Sequence, residues 1–158
     1  MPVNFTSNDH SIASTAFSVD FDQTCLAFDA TDSDQDGIPD AVTLSLPGAF
    51  NVSVTFDGGD TDGELDFFIA DLLPPRASLS DGTIVSMTLN VGSPPSATEV
   101  AVNFSQDPAA SFGNTSGQSV PGTTDGGSVL IVPTGTPTAT PTSTCAYQVY
   151  LPLLRESR

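Results

Sequence analysis

Lysine is absent from this sequence, and three arginines face nineteen acidic residues, for a formal charge of −16. Nucleic acid is excluded as a partner, because phosphate neutralisation needs a basic patch and none can be assembled here. An anionic membrane surface is disfavoured for the same reason. There is no run of eighteen or more apolar residues, so no segment reads as a membrane-spanning helix. Tryptophan is also missing and the only tyrosines are Tyr147 and Tyr150, which leaves little for the exposed aromatic stacking that flat polysaccharides require. The single histidine, His10, has no Ser/His/Asp or Cys/His constellation around it in the sequence, so acyl-transfer chemistry is not expected. Every Asp cluster has a turn or cation explanation, so none reads as the carboxylate pair of glycoside chemistry. The chain does not read as an enzyme.

Two cysteines, Cys25 and Cys145, are too few for a disulfide framework. They either pair in an oxidising compartment or stand as one core thiol and one tail thiol. The opening Met1-Pro2-Val3-Asn4-Phe5 has neither a basic region nor an apolar stretch of the secretory type. The composition nevertheless reads as extracellular, which predicts a true beginning further upstream.

What the sequence does contain is period-2 alternation, interrupted by turn residues. Ala13, Thr15, Phe17, Val19 and Phe21 form one inward set, and Leu26–Phe28 follows after a turn at Asp22-Gln23-Thr24. Further sets are Val42, Leu44 and Leu46; Phe50, Val52, Val54 and Phe56; then Leu65, Phe67 and Ile69, with Phe68 on the opposite face. Val85, Met87, Leu89 and Val91 read as one long strand after Asp81-Gly82, followed by Val100, Val102 and Phe104, and by the run Val129–Val132. No stretch reads as an amphipathic helix. The pattern predicts an all-β, eight- or nine-stranded sandwich.

Residues 1–133 are read as that sandwich, 134–144 as a Thr/Pro linker, and 145–158 as a C-terminal tail. The tail, with Tyr147, Val149, Leu151, Leu153 and Leu154 before Arg155, is open to three readings: an export or attachment tag, a docking strand, or a disordered end.

The most specific motif is Asp32-Ser33-Asp34-Gln35-Asp36-Gly37-Ile38-Pro39-Asp40. Calcium takes six to eight oxygens, and carboxylates at alternate loop positions supply them from one side. Asp32, Asp34 and Asp36 occupy positions 1, 3 and 5, and Gly37 permits the sharp turn. The Ile38 carbonyl at position 7 and Asp40 at position 9 complete the expected set. An EF-hand would place a bidentate Glu at position 12, where this chain has Thr43. The loop instead resembles those of thrombospondin type 3 repeats and dockerins, set here between strands. A weaker cluster, Asp60, Asp62 and Glu64, has the i, i+2, i+4 spacing of ligands, while Glu64 and Asp66 also read as the outward face of a strand. Calcium is the one cofactor expected.

The order of segments resembles a cohesin domain. Phe17-Ser18-Val19-Asp20-Phe21-Asp22, a turn, then Leu26-Ala27-Phe28 is similar to a cohesin's second-strand pattern. Leu65–Asp71, a loop, and Asp81-Gly82-Thr83-Ile84-Val85-Ser86-Met87-Thr88-Leu89-Asn90-Val91 resembles its later hairpin. Gly126-Gly127-Ser128-Val129-Leu130-Ile131-Val132 is similar to its closing strand, so the likeness covers about residues 3–132. It departs in two ways: the family's first strand is absent, and cohesins do not usually carry such a calcium loop. The resemblance implies a jelly-roll sandwich that binds a protein such as a dockerin-like module, at a cell surface or in secreted assemblies. Related sandwiches imply the alternative of a carbohydrate-binding module in a secreted polysaccharide-degrading system. The missing first strand implies an open sheet edge, which the tail of the same chain or of a partner could fill, giving a strand-exchange dimer.

Overall fold

In the computed structural model, residues 1–48, 50–59, 63–92, 96–134, 144–149 and 153–156 are described. Fifteen strands occur among them and no helix. They are β1 (Pro2–Thr6), β2 (Ile12–Phe21), β3 (Leu26–Phe28), β4 (Val42–Leu44), β5 (Asn51–Asp57), β6 (Gly63–Ala70), β7 (Gly82–Met87) and β8 (Leu89–Val91). They continue as β9 (Thr98–Phe104), β10 (Ser111–Asn114), β11 (Ser119–Val120), β12 (Gly122–Asp125), β13 (Gly127–Thr134), β14 (Thr144–Val149) and β15 (Leu153–Glu156). Each alternating segment of the sequence contains a strand, but Leu46 lies beyond the end of β4 and Phe50 before the start of β5; further short strands account for the larger number.

One sheet has the order β12-β15-β1-β7-β4. β3 and β8 form a small two-stranded sheet, and the largest sheet is centred on β2, which pairs with β6 along eight residues, from Ser14↔Ala70 to Phe21↔Gly63. On its opposite side β2 meets β10 near its start and β9 near its end. β5 extends the sheet beyond β6, while β13 and β14 extend it beyond β9. The result is an all-β, jelly-roll-like sandwich.

The core lies between these sheets because alternate side chains of each strand point to one face. Ala13, Thr15, Phe17, Val19 and Phe21 are all buried, as the alternation predicts. Phe17 stacks on Phe67 with ring centroids 5.0 Å apart and meets Phe104 edge-on at 5.7 Å. From the facing sheet come Val3, Phe5, Val85 and Met87. Each fully buried side chain of this size contributes about 1.5–3 kcal/mol relative to exposure.

The stretch read as one strand over 85–91 is divided at Thr88. Met87 ends β7, which pairs with β1 and β4, whereas Leu89 begins β8, which pairs with β3. The Thr88 amide donates to the Ala41 carbonyl at 2.8 Å, so the backbone bond at the step is not lost. Cys25 is half-buried and carries a free thiol.

Candidate functional site

The loop between β3 and β4 holds the acidic motif. Asp29 starts it by accepting from the Thr31 amide (3.0 Å) and hydroxyl (2.6 Å), an Asx-type turn. The Asp40 amide donates to the Thr31 carbonyl at 2.8 Å, which closes the loop at its base. Within it the carboxylates gather backbone donors. Asp32 accepts from the Gly37 amide at 2.9 Å and Asp36 from the Ile38 amide at 2.8 Å. Asp40 accepts from the Ser33 amide at 3.2 Å and its hydroxyl at 2.5 Å. Two tight reversals make this possible: Gln35 at φ 61° and Gly37 at φ 87°. Nothing lies within 4 Å of where a Cβ on Gly37 would be, so glycine is required there by conformation and not by space.

The loop brings carboxylate oxygens of Asp32, Asp34 and Asp40 within 4.8 Å of one another. Oxygens bound to one calcium at ~2.3–2.6 Å can be no more than about 5 Å apart, so this trio fits a single coordination sphere. It is a set that can hold a divalent ion. Asp36 is outside the trio, its carboxylate engaged with the Ile38 amide. Ile38 is half-buried and its side chain packs against the core, anchoring the loop to the sandwich. The Asp36 amide donates to Asp34 and pulls its carboxyl down, but the nearby Asp36 and Asp32 carboxylates, with a small loss of hydration, outweigh that pull. Asp34 is held above the usual carboxylate range, a crowding that a cation relieves. Of the weaker cluster, Asp60 and Asp62 lie outside the described residues, and Glu64 is on β6, on the outer face of the sheet.

That outer face is a second candidate site. Across β5, β6 and β2 the registered rows are Ser53–Phe68–Ala16, Thr55–Asp66–Ser18 and Asp57–Glu64–Asp20. Phe68 therefore has small neighbours on both sides, which leaves its ring 46% exposed. A depression of about 350 Å³ opens beside it, lined also by Ser18, Thr55, Asp66 and Ala109. The Ser18 hydroxyl donates to Asp66. Partial burial, the hydrogen bond and charge of Asp66, and the charge of Asp20 together push the Glu64 carboxyl up to about 7, against a smaller opposing pull from Ser18. Sequence reasoning placed Glu64 and Asp66 on one strand face but missed their pairing with Ser18 and Asp20, which lie more than forty residues away.

A carboxyl raised in the folded state binds its proton more tightly there than in the unfolded chain. Its contribution to stability is therefore present below its ordinary range near 4.5 and declines as pH rises to about 7. Glu64→Gln is expected to leave the melting temperature unchanged at pH 4 and to raise it at pH 8. Thermal melts across that range test this, and equal midpoints at pH 8 refute it.

Beyond β6, Asp71 is buried and accepts from the Leu73 amide at 3.2 Å and the Ala77 amide at 2.7 Å. Arg76 donates to the Thr115 carbonyl at 2.9 Å. His10 is exposed in the turn between β1 and β2. No helix among those residues is long and apolar enough to cross a membrane.

No protein-family model matches the chain, and no curated protein does so at a significant level. Among solved structures it is similar to the sixth cohesin of scaffoldin B from Acetivibrio cellulolyticus, determined in complex with a mutant Cel5 dockerin. The two share 17% identity with a TM-score of 0.49, over 73% of this chain and 72% of that one.

Proposed function

We propose that this chain is a non-catalytic, extracellular protein-binding or surface-assembly module. Its partner docks on the outer face of β5, β6 and β2, and calcium stabilises the loop between β3 and β4. The partner is of the dockerin-like type, as the resemblance of segments 17–28 and 81–91 implies. The observation that carries the reading is Phe68. An exposed phenyl ring flanked by Ser53 and Ala16, beside a depression with the acids of β6 along it, is an apolar anchor with a polar rim. Covering that ring contributes about 2 kcal/mol from area alone, and Asp66 and Glu64 favour a partner with hydroxyl or basic groups at the rim. A single ring offers no row of stacking platforms for a polysaccharide.

For the loop, the proposed ligands are Asp32, Asp34, Asp36, the Ile38 carbonyl and Asp40. The oxygen-only donor set and the short spacing of three of the carboxylates support calcium over a softer metal.

Purified dockerin modules, titrated against the immobilised chain, test the docking reading. Binding is expected, and Phe68→Ser is expected to weaken it by tenfold or more, in the range of an interface hot spot of about 2 kcal/mol, with the melting temperature unchanged. Cellulose, chitin and xylan should leave the protein in solution. Retention on one of these, or equal dockerin affinity for the wild type and Phe68→Ser, overturns the reading.

A further inference from the structure

β1 and β12 do not bond to each other, because β15 stands between them. It runs parallel to β1, from Asn4↔Leu153 to Thr6↔Arg155, and antiparallel to β12, from Gly122↔Glu156 to Asp125↔Leu153. Four residues near the end of the chain thus complete the interior of a five-stranded sheet. β14 lies along β13 in the same sense, from Val129↔Val149 to Thr134↔Thr144. From Gly122↔Glu156 to Thr134↔Thr144 both sides advance by the same number of residues, so the two pairings share one register. Residues 144–149 and 153–156 are the two described stretches of one arm, lying along 129–134 and 122–125.

We propose that the gap between β1 and β12 is a strand-accepting site, and that the arm filling it is exchanged between two copies of this chain. The gap has two walls of backbone N–H and C=O groups, and main-chain pairing does not depend on which copy supplies the strand. Charge favours the arm specifically. Arg155 on the arm and Arg158 just after it in the sequence are two of the chain's three arginines, whereas all but one of its nineteen acids lie before the arm. The arm is attracted to the acidic sandwich of its own copy or of a neighbour.

The connection sets the balance between the two. Nine residues, 135–143, join the strands of the hairpin, and Pro137 and Pro141 are among them. Hairpin loops favour two to five residues, and proline favours extension at about 3.1 Å per residue. Contacts within one copy and between copies are the same, so the ratio is governed by the effective concentration of the tethered arm, on the order of mM for a short linker. The whole chain is therefore monomeric at micromolar concentration, with exchange as the concentration approaches that value.

Deleting residues 135–143 tests the proposal, since β13 then runs directly into β14 and the arm cannot turn back. Light scattering at micromolar concentration is expected to give a dimer, with slow amide exchange over 153–156. Adding Leu154→Pro, which removes a donor from β15, is expected to return it to a monomer. A deleted chain that is folded by circular dichroism yet monomeric overturns the proposal. Should the deletion prevent folding, cross-linking of full-length chains decides, in a Cys25→Ser, Cys145→Ser background. A chain with Asn4→Cys, mixed at millimolar concentration with one carrying Leu153→Cys, is expected to form the mixed disulfide in excess over either symmetric product. No such excess overturns the proposal.

Discussion

Phe17→Ala is expected to destabilise the sandwich by about 3–5 kcal/mol, the range for removing a buried phenyl ring. Phe17 lies at the middle of β2, the strand that joins β6 to both β9 and β10. Its ring is in contact with Phe67 and Phe104, so truncation opens a cavity bounded by strands on either side of β2. Relaxation into that space is limited because both neighbours are themselves in paired strands. At about 2–4 °C per kcal/mol for a chain of this size, the melting temperature should fall by roughly 6–20 °C. Phe68→Ala is the control, a change of the same kind at an exposed position, expected to stay within about 0.5 kcal/mol. Urea unfolding of the two variants measures both. Equal losses would mean that the two faces of the sheet are wrongly assigned.

Calcium is expected to raise the melting temperature and chelator to lower it. An ion that binds only the folded state stabilises by about 2.7 kcal/mol at a hundredfold excess over Kd, or roughly 5–11 °C here. Asp34 is the sharpest probe. It is exposed, it belongs to the trio, and the carboxylates of Asp36 and Asp32 crowd it. Asp34→Ala should abolish the calcium shift while leaving the melt in chelator the same or slightly higher, since it relieves that crowding. Asp36→Asn should reduce the shift without removing it, because its carboxylate also holds the Ile38 amide. Identical midpoints with calcium and with chelator in the wild-type protein would eliminate the ion as a stabilising ligand.

The two candidate sites differ in how far they could be read from residue order. The acidic loop is contiguous, and its turn, donors and carboxylates all lie between Asp29 and Asp40. Spacing alone therefore pointed to Asp32, Asp34 and Asp40 as neighbours. It could not separate Asp36 from them, since that depends on which amide each carboxylate accepts. The outer-face site is assembled from β2, β5 and β6, and nothing near Glu64 in the chain announces Asp20 or Ser18. Alternation placed Phe68 away from the core, but only the small residues beside it leave its ring exposed.

Residue order by itself determined which side chains of each strand face inward, because that periodicity is local: the pleat turns every second residue the same way. It also set the spacing of the carboxylates in the acidic loop and the acidic charge balance of the chain. Tertiary structure decided the pairing. Backbone groups are alike along the chain, so alternation does not say which strand lies beside which. That choice divided 82–91 between two sheets at Thr88, set Ser18 beside Asp66 and raised the Glu64 carboxyl. It also seated 153–156 between β1 and β12, a position set by which backbone edges remain open once the other strands have paired.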